Sequence, residues 1–163
     1  MMEERVGVSR RSPISGRQSR PLEPVTRFGG VNDLSHHDAQ RVLAAAQAEL
    51  DRTGRGAAVA VVDHHGELVA FVRTDGCRLP SIDIAINKAF TAARQGVPSK
   101  SVGEASRTEG FPMTNFGDPR YIGWGGGVPL VVDGDVVGAI GVSGLPEADD
   151  IAIAEAAAGA LSS

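Results

Sequence analysis

An Asp-Gly step between two β-branched runs is the strongest short-range instruction for a hairpin, and this chain carries one at Asp133-Gly134. Residues 128–132 and 135–142 flank it and are rich in Val. Residues 57–62 and 68–73 repeat the pattern around Asp63-His64-His65-Gly66-Glu67, which reads as strand, turn, strand. Hairpins set consecutive strands side by side and antiparallel, whereas parallel pairing needs a long crossover. The segments between them have helical periodicity. Ser35 is an N-cap in outline, with Asp38 three residues on, for a helix to about residue 51 or 52; Val42, Leu43, Ala46 and Leu50 form its stripe. A second helix fits residues 81–94 and a short one follows Pro98. An alanine-rich helix spans 146–161, with Pro146 in its first turn and acids behind it. The order helix, hairpin, helix, short helix, loop, hairpin, helix predicts an α/β chain of the α+β type. Its sheet is mostly antiparallel, built from two hairpins and flanked by helices.

The loop before the second hairpin is the candidate site wall. Residues 117–129 read Gly-Asp-Pro-Arg-Tyr-Ile-Gly-Trp-Gly-Gly-Gly-Val-Pro and hold the only Tyr and the only Trp, Tyr121 and Trp124, among five glycines. Phe111 and Phe116 precede them, which concentrates flat apolar surface on one connection. Glycine of this density lets backbone come close to a ligand. The alternative is a structural connection whose aromatics plug the edge of the core.

Composition removes several classes of function. A net charge of −4 gives no general pull toward nucleic acid, and the apolar runs are too short to span a membrane. The single cysteine, Cys77, rules out an internal disulfide and a cysteine-built zinc site, and it suits a reducing cytoplasm. Residues 1–34 read differently from the rest. They hold six arginines (Arg5, Arg10, Arg11, Arg17, Arg20 and Arg27) and almost no apolar periodicity, the composition of a disordered tail. Ser9-Arg10-Arg11 has the arginine pair of an export signal without the apolar stretch that should follow. The expected division is a tail over residues 1–34 and a single domain over 35–163.

On the helix at 81–94, an advance of about 100° per residue gathers Ile82, Ala85, Ile86, Ala89 and Ala93 on the core side. Lys88 falls at the border, near Ser81, Ile84 and Ala92. Its stem can be covered there while the ammonium faces a cleft, as base, Schiff-base amine or anion anchor. The alternative is a lysine that snorkels to solvent. His36, His37, His64 and His65 lie in a helix start and a turn, where ordinary exposed histidines are expected, and no metal site is read.

Ala58-Val59-Ala60-Val61-Val62-Asp63, Gly66-Glu67-Leu68-Val69-Ala70 and Arg73-Thr74-Asp75-Gly76 resemble the opening hairpin of the haem-binding, GlcG-like family. The resemblance continues in order through Ser81-Ile82-Asp83-Ile84-Ala85, Asn87-Lys88-Ala89-Phe90-Thr91-Ala92-Ala93-Arg94, Gly126-Gly127-Val128-Pro129-Leu130 and Val137-Gly138-Ala139-Ile140-Gly141-Val142-Ser143-Gly144. It implies a profilin-like layout, assembly into dimers or larger homo-oligomers, and haem as a candidate cofactor. Relatives include the C-terminal part of some corrinoid adenosyltransferases and proteins of catabolic or biosynthetic operons. It also implies that Lys88 stands beside bound ligand and that Gly126, Gly127 and Pro129 border the same pocket. The segment before them departs from the family: Asn115, Asp118, Arg120 and Tyr121 make it more polar, which favours a smaller polar or aromatic ligand.

Two functions follow. The first is a small-molecule-binding protein, its ligand haem or another planar or polar metabolite, held by Arg73, Arg120, Trp124, Gly125, Gly126, Gly127 and Pro129. The second is a cofactor-free isomerase, lyase or deaminase acting on a small carboxylate. There Lys88 is base or anion anchor, Arg73 or Arg120 holds the carboxylate, and Tyr121 or Asp118 moves a proton. In both, Lys88 and residues 121–127 should line one pocket, and Lys88→Met should fold normally while losing ligand.

Overall fold

The structure is a computed structural model that describes residues 33–161. The tail expected over residues 1–34 falls almost wholly outside the described residues. The chain runs α1 (His36–Thr53), β1 (Ala58–Asp63), β2 (Leu68–Arg73), α2 (Ser81–Gln95), α3 (Ser99–Glu109), β3 (Gly127–Val132), β4 (Asp135–Ser143) and α4 (Glu147–Ala158). Short 3-10 turns lie at Met113–Phe116 and Gly159–Leu161. The sheet order is β2-β1-β4-β3 and every pairing is antiparallel. This is the α+β arrangement that two hairpins require.

Each hairpin turn has a local cause. Asp133 (φ 53°) and Gly134 (φ 87°) both take positive φ, the signature of a type I′ turn. In the first hairpin the Asp63 carboxylate accepts from the N–H groups of His65 (2.9 Å) and Glu67 (3.0 Å), so the side chain sets the turn. Helix α1 starts as expected, with the Ser35 hydroxyl accepting from the Asp38 N–H at 3.1 Å. Helix α3 is longer than the short piece expected: it runs eleven residues, with Ser99, Val102 and Gly103 buried.

Strand alternation divides the core into two layers. Val59 and Val61 of β1, with Ile140 and Val142 of β4, face α1 and α4, where Val42, Ala46, Leu50, Ile153 and Ala157 meet them. Ala58, Ala60, Val62 and Ala139 face the other way, onto Ala85, Ala89 and Ala92 of α2. The α2 side is built of small residues, so the helix lies close to the sheet. At Gly141 a side chain would run into the α2 backbone at Ala85 and Ala89.

Candidate functional site

The Ser81, Ile84 and Lys88 stripe of α2 opens onto a cleft of about 420 Å³. Loop residues Trp124 and Gly125 form one wall. The end of β4 and the start of α4 form another, through Ser143, Leu145, Glu147 and Asp150. Gly144, with Arg78 and Pro80 just before α2, completes the lining.

Lys88 is only 3% exposed. Its Nζ donates to the Val142 carbonyl and to Asp150 Oδ2, both at 2.9 Å. Asp150 is 2% exposed, and its Oδ1 accepts from the Leu145 N–H at 3.1 Å. Burial pushes the Asp150 carboxyl above its ordinary value, with the Lys88 ammonium and the Leu145 and Gly144 N–H groups pulling the other way. The pair joins α2 on one face of the sheet to α4 on the other. Glycine makes that crossing possible. A Cβ on Gly126 (φ 112°) would sit 3.1 Å from Lys88 Nζ, and one on Gly127 would strike the Lys88 backbone. These two glycines therefore give room to Lys88; of the three in a row, only Gly125 lines the cleft.

Buried hydroxyls fix the loop. Ser99 Oγ donates to the Trp124 carbonyl (2.6 Å) and accepts from the Gly127 N–H (2.9 Å). Thr91 Oγ1 accepts from the Ile122 N–H at 2.9 Å and donates to the Asn87 carbonyl at 2.8 Å. Where α3 crosses beneath, Gly103 and Gly123 are in backbone contact. Glu147 pairs with Lys100 at 3.2 Å and accepts from the Gly125 N–H at 3.4 Å. Those contacts hold its carboxyl below the usual range, the Lys100 bond most of all. Trp124 is left 57% exposed at the cleft.

The other residues singled out from sequence lie elsewhere. Asp118 and Arg120 bind each other, with Oδ2 to Nη2 at 2.9 Å, and Arg120 also reaches Glu67 at 3.3 Å. The guanidinium lies 3.9 Å from the centre of the Phe90 ring. Arg120 holds the Asp118 carboxyl below its ordinary value. Tyr121 stacks on Phe116 with centroids 4.3 Å apart, meets Phe90 edge-on, and accepts from Gln95 Nε2 at 3.3 Å. None of Asp118, Arg120 and Tyr121 lines the cleft, because their side chains are engaged in clasping the loop to Phe90 of α2. Arg73 ends β2 exposed, and Pro129 lies within β3; neither lines the cleft. The His64 ring packs against His65 at a tilt of 43°, and its Nδ1 lies 3.1 Å from the Asp33 carboxylate without hydrogen-bond geometry. Among the described residues no group of three or more His, Cys, Asp or Glu is placed to hold a metal ion.

Residues 34–159 match the family described as Haem degrading protein HbpS-like. The chain belongs to that family. It is 36% identical to the protein GlcG of Escherichia coli K12 over 116 residues, which covers 68% of this chain and 81% of GlcG. The crystal structure of Klebsiella pneumoniae protein ORFY superposes with a TM-score of 0.78 at 26% identity, covering 85% of this chain and 97% of ORFY. The crystal structure of a PduOC–haem complex superposes with a TM-score of 0.73 at 26% identity, covering 79% of this chain and 95% of PduOC.

That last relative makes the fit of haem worth testing against the lining. Arg78 can meet a carboxylate and Trp124 can cover a flat ring. Among the described residues the lining contains no His, Cys, Met or Tyr, the side chains that commonly bond haem iron. The cleft of one chain therefore suits the planar, carboxylate-bearing part of such a ligand and offers its metal none of those axial donors.

Sequence reasoning missed Asp150, Ser143 and Arg78. Asp150 was legible: the α4 stripe of Ala157, Ala154 and Ile153, followed back three to four residues, lands on it. Reading it as one more acid at a helix N-terminus concealed a charge on the apolar face.

Proposed function

We propose that this protein binds a small planar or polar metabolite in the cleft above Lys88 and Asp150. The observation that carries the reading is the buried Lys88–Asp150 pair set at the edge of a concave space. Burying two charges is costly and gains little stability over apolar packing, so a pair kept at a cleft marks a functional position. The lining is part apolar with a few convergent polar groups, as ligand sites are. Haem is one ligand to test, since a relative of the same fold was crystallised with it. Trp124, the only tryptophan, is a built-in reporter. Haem should quench its emission and give a saturable Soret change, and Ile84→Phe, which fills the cleft, should abolish both. Binding undisturbed by Ile84→Phe would place the ligand elsewhere.

One observation supports the enzyme reading as well. Asp150, whose carboxyl burial makes a stronger base, borders the cleft beside the Lys88 ammonium and the Ser143 hydroxyl. In a cofactor-free reaction Asp150 would take the proton and Lys88 would steady the charge that develops. Deuterium uptake from heavy water into small keto acids, lost in Asp150→Asn, is the test.

The cellular setting proposed is a cytoplasmic homo-oligomer. No helix among the described residues is long and apolar enough to cross a membrane. Light scattering on the purified protein measures the assembly directly.

A further inference from the structure

Each acid that lines the cleft already has its cation, and one cation is left over. Asp150 is matched by Lys88 and Glu147 by Lys100. Arg78 lines the same space, and its side chain makes no hydrogen bond or ion pair among the described residues. The unbalanced charge of the cleft is therefore +1, carried by a group suited to grip a carboxylate through two hydrogen bonds.

The floor asks for something different. Two of the three Lys88 N–H donors are used, on Val142 and Asp150. The Ser143 hydroxyl, on a residue only 5% exposed, makes no side-chain hydrogen bond among the described residues. These donors invite an acceptor. The Asp150 charge beside them repels a second anion, so the acceptor that fits is neutral: a carbonyl or hydroxyl oxygen. The larger apolar members of the lining are Trp124, Ile84 and Leu145, which suit a flat apolar body.

We infer that the cleft selects an aromatic monocarboxylate, with Arg78 as the specificity-determining residue that holds the carboxylate and Lys88 and Ser143 as donors to a neutral oxygen at the far end. This rests on the proposed cleft being the ligand site, and the experiment separates the two. Trp124 emission is titrated with 4-hydroxybenzoate, with 4-hydroxybenzamide and with haem, in the full chain and in Arg78→Gln. Arg78 is exposed and unpartnered, so the variant should fold, which circular dichroism verifies.

The acid should bind at least about tenfold more tightly than the amide, the size of one charge-assisted hydrogen bond, and Arg78→Gln should erase that preference. Amide and acid binding alike, or a preference that survives Arg78→Gln, overturns the role of Arg78 and leaves the cleft as the ligand site. Haem binding with neither benzoate nor benzamide overturns the ligand class alone. No quenching by any of the three overturns both.

Discussion

Removing the Lys88 ammonium while keeping its stem leaves the Asp150 carboxylate buried without its cation. The expectation that Lys88→Met folds normally is therefore revised: the change should cost about 3–5 kcal/mol by chemical denaturation, as breaking one side of a buried pair does. The double change Lys88→Met with Asp150→Leu should recover most of that loss. If the single change proves harmless, the two side chains are not held together in solution. The same pair sets a pH dependence. Burial raises the Asp150 carboxyl above its ordinary value of 3.8, so the folded state keeps that proton to higher pH than the unfolded chain does. Its contribution to stability is full below the unfolded value and is lost as pH rises through the raised folded one. The melting temperature of the parent minus that of Asp150→Asn should accordingly shrink as pH climbs from near 3.8. A difference that widens would mean that Lys88 attraction outweighs burial. Lys88 itself was legible at this scale because helical geometry fixes a border position. Its pairing with Asp150 was not, because a contact across 62 residues leaves no local trace.

Turns and glycines act on whole elements, and they separate two kinds of cost. At Gly134 nothing lies within 4 Å of an added Cβ, so Gly134→Val should cost only the strain of positive φ, about 1 kcal/mol or more. At Gly127 an added methyl meets the Lys88 backbone and the Ser99 hydroxyl, so Gly127→Ala should cost more than Gly134→Val although the side chain is smaller. Equal melting temperatures for the two would contradict the packing around β3. Ser99→Ala frees the Trp124 carbonyl and the Gly127 N–H together and should lose about 1–3 kcal/mol. Its single tryptophan should show lower fluorescence anisotropy. Strands and helices were legible because periods of 2 and 3.6 are written along the chain. The loop was legible as a concentration of aromatics but not as two separate structures. Only tertiary contact reveals that Trp124 faces the cleft while Tyr121, Arg120 and Asp118 gather at Phe90.

At the scale of the molecule, two layers of different texture close on one sheet: branched residues toward α1 and α4, small ones toward α2. The family match begins at residue 34, and a chain without residues 1–32 should keep its melting temperature and assembly nearly unchanged. A loss of several degrees would show that the segment packs on the domain. The order in which the parts are made has its own consequence. Lys88 leaves the ribosome 62 residues before Asp150, a wait of roughly 3–12 seconds at about 5–20 residues per second. Throughout that interval α2 carries an ammonium aimed at a counter-charge that has not yet been synthesised. The layer facing α1 lacks α4 for as long. The nascent chain can therefore close its first hairpin early, but it has no cleft to offer a ligand until its final described helix arrives. A ligand that fits the cleft would recognise the finished protein and ignore the growing one.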